Sequence, residues 1–388
     1  MGTCYNILNI HHRPDLKIAV NTRLLRKNKL DGIGWFSFNT LRYIVQQHPE
    51  VEFHFFFDHR PDPSFIFGSN VIPHILFPPT RHALLNVLWF EWSVRNKLNQ
   101  INPDLFLSPD GILCLGWPGK QLAVIHDINF KHYPGGLKFS NRIYYNYLFP
   151  RFANKAVRIA TVSDFSRQDM IAHYKLDPRK IDVVYNGINS FYHPISESDK
   201  QSVRNQYAKG FEYLVFIGSL SPRKNIPGLM KAFNHYKAQH QSTIQLLIAG
   251  GALYKSESLY EMKNTLPSGE SIHFLGRLSD DEMNRVLGAA QALVYVPLFE
   301  GFGIPLVEAM QCGVPIISSN TSSMPEVVGE AAILVDPQNT ESISKAMALI
   351  TLDTSLRENL IAEGNKRKNL FSWSNTSEML WQSIKKCL

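Results

Sequence analysis

The sequence predicts an α/β protein built from two doubly wound domains that face each other across a cleft. Three observations carry this. Short apolar runs alternate with longer amphipathic stretches from Lys17 to Tyr185 and again from Tyr213 to Val335. Strands separated by helices imply βαβ units and parallel sheets. A polar, turn-rich stretch, Asn186–Lys200 (NGINSFYHPISESDK), lies between the two runs, and the 388 residues exceed the roughly 250–300 at which one core stops growing.

The elements follow in order. Lys17–Asn21 (KIAVN) reads as a buried parallel strand. Gly32-Ile33-Gly34 reads as a loop before a helix over Phe36–Gln47. Val51–Phe57 and Val71–Leu76 are strands, His82–Gln100 is a long helix, and Asp104–Ser108 and Leu122–His126 (LAVIH) are strands again. Asn141–Ala156 is helical, with Pro150 expected to kink or end it. Strand Val157–Val162, helix Asp164–His173 and strand Ile181–Tyr185 close the set. In the second half the strands are Tyr213–Ile217, Ile244–Ala249, Ile272–Leu275, Ala292–Val296, Pro315–Ser318 and Ala332–Val335. A last helix begins near Ser374 and carries Met379, Leu380, Trp381 and Ile384. The expected domains are 1–190 and 191–372, with a C-terminal helix over 373–388 packing back onto the first.

Composition removes several classes. An apolar share of 44% with 24 Phe and 15 Tyr is unlike a disordered chain. No apolar run approaches the roughly 18 residues of a membrane helix. Met1 to Ile10 lacks the charged start and apolar stretch of a signal peptide. The cysteines Cys4, Cys114, Cys312 and Cys387 form no Cys-x-x-Cys pair and no zinc spacing, as in a reducing compartment. The cytoplasm is the expected location, with the inner membrane face as a peripheral site. The net charge is +7. Residues 1–200 hold 23 basic and 16 acidic side chains and residues 201–388 hold 17 of each, so the whole excess lies in the first half. The two halves are therefore expected to meet different partners.

Two segments carry chemistry. In Val296–Met310 (VPLFEGFGIPLVEAM) a strand ends, Glu300 and Gly301-Phe302-Gly303 follow, and Pro305 opens a helix. Free N–H groups and the positive end of the helix dipole make this an anion site. Glu308 is expected in the first turn, facing the same mouth. The plainer reading is a strand–turn–helix corner with Glu308 as a favourable charge. In Phe216–Phe233 a strand ends at Gly218, and Arg223 and Lys224 sit in the following loop with Asn225 as N-cap. Such a pair suits a diphosphate, Arg bidentately and Lys as a point charge; a solvated loop is the plain alternative.

Together these segments resemble the retaining glycosyltransferases of family 4, which have the GT-B fold. Glu300 and Glu308 form the family's E-x7-E signature. The likeness continues through Cys312-Gly313-Val314-Pro315, Ser318-Ser319-Asn320, Pro325-Glu326-Val327-Val328-Gly329 and Ala331 to Pro337. Upstream it includes Gly218-Ser219-Leu220, Pro222-Arg223-Lys224-Asn225 and Phe274 to Asp280. In the first half it includes Gly32-Ile33-Gly34, His126-Asp127-Ile128, Thr161 to Ser166 and Val184 to Ile188.

The resemblance implies roles. Arg223 and Lys224 would hold the diphosphate of a nucleotide-sugar and stabilise the leaving nucleotide. Backbone groups of Phe302, Gly303, Ile304, Pro305 and Leu306 would bind phosphate and sugar oxygens. Glu308 would accept from the ribose, Glu300 would contact the donor sugar, and Arg277 and Leu278 would lie along the base. Gly32 and Gly34 would form a loop over the diphosphate. Relatives often read Gly-Ile-Gly-Arg-Tyr there, whereas Trp35 and Phe36 follow here. His126 would lie beside the donor sugar, with Asp127 orienting the imidazole or reaching the acceptor. Glu300 is not expected to be a nucleophile, since family members are described by a front-face route. No Asp-x-Asp motif that would hold a cation is found, so metal independence and no cofactor are expected.

The acceptor side rests on the first half. Arg23, Arg26, Lys27 and Lys29 (RLLRKNK) precede the glycine loop, and Trp89, Phe90 and Trp92 crowd one helix ahead of Arg95 and Lys97. Aromatics beside basic residues suit an anionic membrane, a lipid-pyrophosphate or an anionic glycan; a core helix with solvated charges is the alternative, favoured for Trp89. Nucleic acid is not an expected partner. The expected function is hexosyl transfer, mannosyltransferase-like with GDP-mannose ahead of UDP-sugars, onto a glycan or lipid-linked acceptor in surface polysaccharide or glycolipid synthesis. The alternatives are a silent nucleotide-sugar-binding scaffold, an epimerase of the same fold, or a phosphorylase, for which no pyridoxal phosphate lysine is identified.

Overall fold

The computed structural model describes residues 16–80, 82–136, 139–251 and 257–388. Cys4 and the segment Met1–Ile10 lie outside them. Among the described residues thirteen strands form two all-parallel sheets. The first holds β1 (Lys17–Asn21), β2 (Glu52–Phe57), β3 (Val71–Ile75), β4 (Leu105–Ser108), β5 (Gln121–Val124), β6 (Arg158–Thr161) and β7 (Ile181–Val183), in the order β3-β2-β1-β4-β5-β6-β7. The second holds β8 (Tyr213–Ile217), β9 (Gln245–Ala249), β10 (Ile272–Gly276), β11 (Ala292–Tyr295), β12 (Ile316–Ser319) and β13 (Ala332–Val335), in the order β10-β9-β8-β11-β12-β13.

Helices cover both faces, so the central strands read as continuous apolar runs rather than alternating ones. All five residues of β8 (YLVFI) are buried, as are Phe53, Phe55, Phe56 and Phe57 of β2. The two faces of the first sheet make separate cores, one around Phe36, Phe55 and Leu107 and one around Trp89, Phe106 and Ile159. In each sheet the order reverses beside the first strand, between β1 and β4 and between β8 and β11. Crevices at such switch points, outside the carboxyl ends of strands, bind ligands.

The chain crosses between the domains twice. Ile188 and Ser372 pair in a parallel bridge where the crossings run side by side. A Cβ on Gly187 would meet the Trp373 backbone N at 2.6 Å, so only glycine lets the two crossings touch there. The final helix, Trp373–Lys385, packs on helix Gly32–Gln47, and its Trp373, Leu380, Trp381 and Ile384 join the first domain's core.

Three local expectations change, and that for Pro150 is narrowed. The Gly32-Ile33-Gly34 loop is the first turn of helix Gly32–Gln47, because the Asp31 carboxylate caps it by accepting from the Gly34 amide at 2.9 Å. Pro150 does not end its helix, which runs from Phe139 to Lys155; the nearby Tyr147 carbonyl accepts from the Arg151 guanidinium at 2.6 Å. The helix expected over His82–Gln100 runs on to Ile101 but passes through a wider π turn at Trp89–Val94. That turn separates its aromatics: Trp89 and Phe90 are buried, Trp89 donating to the Leu76 carbonyl, while Trp92 is exposed. Three of the four charges of the basic run are paired from within, by Arg23–Asp110, Arg26–Asp58 and Lys27–Asp62 ion pairs, Lys29 having none among the described residues.

Candidate functional site

The switch point of the second sheet gathers the charged residues. Strand β8 ends just before Gly218, and a short turn, Pro222–Lys224, carries the basic pair before helix Ile226–His240. Strand β11 runs out through Val296 into the Glu300 turn. One carboxylate oxygen of Glu300, Oε2, accepts from Arg223 at 2.5 Å, from the Tyr295 hydroxyl at 3.0 Å and from Lys224. Lys224 also donates to the Tyr295 hydroxyl, and Arg223 to the Phe299 carbonyl at 3.2 Å. Among the described residues, Oε1 of Glu300 has no hydrogen-bond partner and is available to a ligand.

The electrostatics follow from this packing. Burial alone would raise the Glu300 carboxyl, but Lys224 and Arg223 overcome it and hold the group near 2. Burial lowers the Lys224 ammonium, partly offset by Glu300. Burial would lower Arg223 too, but Glu300 and Asp127 raise it. The cluster brings two cations onto one carboxylate in a shielded place, with the Asp127 carboxylate close enough to act on both. Such a set can stabilise negative charge that develops on a diphosphate leaving group.

Asn225 occupies the N-cap position of its helix in the left-handed conformation, without a side-chain cap bond. Its amide instead donates to the Val296 and Pro337 carbonyls, tying the basic turn to the Glu300 turn. Gly303 starts helix Ile304–Cys312 at φ +90°, where a side chain would be strained and would strike Met324. Leu306 donates back to the Gly303 carbonyl and Pro305 has no N–H, so of this turn the Gly303 and Ile304 amides are left without an acceptor among the described residues. Phe302 is buried between Tyr185 and Phe371.

Glu308 lies in the second turn of that helix, not the first, since the helix begins only at Ile304. Its surroundings are unlike those of Glu300. Burial pushes its carboxyl up to about 7, with Tyr192 holding it down and Asp280 adding to the rise. Arg277 follows β10 at the edge of the sheet; it is exposed, and Leu278 is half-buried. Among the described residues Arg277 makes no hydrogen bond, so it stands apart from the charged cluster.

The first domain meets this turn directly. A Cβ on Gly301 would lie 2.8 Å from the Asp127 carboxylate and 2.9 Å from the His126 carbonyl, so the His126-Asp127 corner packs against the turn beside Glu300. His126 is oriented by the Pro109 carbonyl, which lies 3.0 Å from Nε2, rather than by Asp127. Burial lowers its pKa, so the ring is held neutral with Nδ1 free to accept. Asp127 accepts from the Asn129 backbone at 2.9 Å and from the Asn129 side chain, its carboxylate closing an Asx-type turn. Gly32 faces Ile304 across the cleft, with 3.6 Å from a built Cβ to the Ile304 side chain.

Sequence reasoning passed over the groups that clamp the domains together. Ser163 and Ser166 hydroxyls both donate to the Gly301 carbonyl, at 2.6 and 3.3 Å. Glu326, on helix Met324–Val328, accepts from the Asp164 and Phe165 amides at 2.7 and 3.0 Å and from the Tyr185 hydroxyl at 3.0 Å. It thus caps a helix of the other domain. The motifs around Ser163 and Glu326 mark both segments, but nothing in the sequence pairs them. Tyr295 had a signal: a tyrosine in an apolar strand needs a buried partner.

The comparisons with known proteins bear on this geometry. The family described as Glycosyltransferase Family 4 matches residues 30–190, and that described as Glycosyl transferases group 1 matches residues 197–367. The chain belongs to glycosyltransferase family 4. Its GT-B fold is shared with sucrose-phosphate synthase from Thermosynechococcus elongatus, at TM-score 0.75 and 16% identity over 96% of this chain and 98% of that one. It is shared also with WaaG, a glycosyltransferase involved in lipopolysaccharide biosynthesis, at TM-score 0.73 and 14% identity over 94% and 98%. By sequence, the family 4 chain is 33% identical to the O-antigen chain mannosyltransferase B of Escherichia coli over 57% of its own length and 58% of that protein's. It is 29% identical to the O-antigen chain mannosyltransferase RfbU of Salmonella typhimurium, over 58% and 60%. The matches thus span less than two thirds of these relatives. Among the described residues no helix is long and apolar enough to cross a membrane.

Proposed function

We propose that this family 4 chain is a retaining glycosyltransferase that moves a mannosyl group from GDP-mannose to a glycan or lipid-linked acceptor in surface polysaccharide synthesis, with UDP-sugars the next candidates as donor. The observation that carries it is the Arg223–Lys224–Glu300 cluster beside the Gly303 helix start, packed against the His126-Asp127 corner of the other domain. The mannosyltransferase names among the relatives support the sugar.

Each role follows from chemistry. Arg223 and Lys224 hold the diphosphate and offset the charge left on it as the sugar–oxygen bond breaks. The Gly303 and Ile304 amides add donors at the helix start. Glu300, fixed through Oε2, turns Oε1 to a sugar hydroxyl; a carboxylate engaged by two cations is a positioning group and a poor nucleophile. Glu308 accepts from the ribose. His126, neutral, accepts from a sugar hydroxyl through Nδ1. The leaving phosphate takes the acceptor's proton, and no metal on the diphosphate is required.

A membrane-bound acceptor suits the first domain, where Phe77, Leu84, Leu88 and Trp92 are exposed around one helix. The test is donor turnover with GDP-mannose and UDP-glucose, with and without excess EDTA. Transfer from GDP-mannose that persists in EDTA and is lost in Lys224→Ala supports the reading. Turnover unchanged in both Lys224→Ala and Glu308→Ala refutes the site, strict Mg²⁺ dependence refutes the metal-free route, and nucleotide binding without turnover of any donor leaves a binding scaffold.

A further inference from the structure

We propose that His132, Asp169 and His173 form a binding site for zinc or a chemically similar divalent cation, on the first domain's side of the cleft. The site is separate from the diphosphate cluster. His132 closes the short helix Asn129–His132, and Asp169 and His173 sit one turn apart on helix Asp164–Tyr174. Their ligand atoms already converge, all within 4.8 Å of one another. Nε2 of His132 is 2.9 Å from both Asp169 carboxylate oxygens, and Nδ1 of His173 is 3.0 Å from Oδ1.

Zinc holds nitrogen and oxygen ligands at about 2.0–2.2 Å in a tetrahedron, which sets ligand atoms about 3.3 Å apart. The two nitrogen–carboxylate contacts, at 2.9 and 3.0 Å, therefore need to open by only a few tenths of an ångström, while the two imidazole nitrogens, within 4.8 Å of each other, settle toward the same spacing. Two imidazoles and one carboxylate leave the fourth position for water or a substrate oxygen. Imidazole ligands favour zinc, copper and nickel over magnesium, calcium and manganese. The side chain of Asp169 is only 8% exposed, whereas those of His132 and His173 are 28% and 33% exposed, so a buried carboxylate lies between two rings that solvent reaches. His173 Nδ1 also lies 2.9 Å from the Asp169 carbonyl, a hydrogen bond that the ring gives up, with its proton, when Nδ1 ligates a cation.

The site touches the proposed reaction only through packing. His132 stacks on Phe299 with ring centroids 4.6 Å apart, and the Phe299 carbonyl accepts from Arg223. A bound cation would fix His132 against the residue that precedes Glu300.

The test reads metal binding, so it is independent of whether the chain transfers sugar. The full chain, stripped with chelator and dialysed, is titrated with Zn²⁺ by calorimetry and with Co²⁺ by visible absorption. The expected result is one site of micromolar or tighter affinity for Zn²⁺ and an intense tetrahedral Co²⁺ band. His132→Ala and Asp169→Asn each weaken it at least tenfold, Mg²⁺ does not compete, and melting curves show that the variants are folded. His173→Gln serves where a variant fails to fold. No stoichiometric binding, or binding equal in folded variants and parent, overturns the proposal and leaves a hydrogen-bonded His–Asp–His group.

Discussion

Removing the Glu326 carboxylate should unlatch the two domains, and the structure sets the size of the effect. Helix Asp164–Tyr174 has Ser163 as its N-cap, whose hydroxyl serves the Ser166 amide. The Asp164 and Phe165 amides precede any intrahelical acceptor, and among the described residues Glu326 is their partner. A net hydrogen bond to a charged group is worth about 1.5–3 kcal/mol, and loss of a capping group about 1 kcal/mol. Water recovers part of this when the domains part, so Glu326→Ala should cost about 2 kcal/mol, roughly 30-fold in the closed-to-open ratio. Amide hydrogen exchange reads it directly. Asp164 and Phe165 should exchange about 30-fold faster in Glu326→Ala, with Glu326→Gln between it and the parent. Exchange at both amides within twofold of the parent in Glu326→Ala would refute the latch.

Further outcomes follow from the charged groups. Glu300→Gln leaves Arg223 and Lys224 buried without their counter-charge, which should cost about 3–5 kcal/mol; a nucleoside diphosphate should then raise the melting temperature more in the variant than in the parent, and equal shifts would argue against an anion site. The parent Glu300 carboxyl sits near 2 against an ordinary 4.5, so the stability it contributes is present above 4.5 and lost as pH falls toward 2; an acid melting series of parent and variant should converge there. Glu308 runs the other way. Its carboxyl near 7 keeps a proton that the unfolded chain releases above 4.5, so stability falls as pH rises from 4.5 to 7, by about 3 kcal/mol at most, and Glu308→Gln should flatten that slope in thermal melts. Reversing Arg26 and Lys27 to Glu sets like charges against Asp58 and Asp62; the melting temperature should fall while nucleotide binding to the second domain is retained.

The strands were legible because a doubly covered parallel sheet writes itself as apolar runs; β1 and β8 coincide with KIAVN and YLVFI. The charged turn was legible because its parts are local, each a few residues past a strand end. The Gly32 turn was misread because glycines signal a loop, although Asp31, three residues before Gly34, is itself an N-cap signal. Long-range pairing was beyond reach. Glu326 finds amides more than 160 residues away, and Arg23 finds Asp110 on a neighbouring strand's loop. That pairing is also why the basic run looked like a binding surface: charge counts along a chain do not show which charges already have partners. The clamp, the neutral His126 and the raised Glu308 all arise from burial, a property of the assembled fold.

The paired crossings at Ile188 and Ser372 have a mechanical consequence. A single tether would let one lobe swivel as well as tilt against the other. Two crossings joined by one bridge, with Gly187 pressed on Trp373 and Asn189 gripped by both Asn39 and Trp373, should resist twisting more than bending. The relative motion this arrangement favours is a jaw-like stroke about one line. In such a stroke residues near that line would move least, whereas the Glu300 turn and the His126-Asp127 corner would separate and return along one arc. Each opening therefore brings the same groups back into the same register, without a search over orientations.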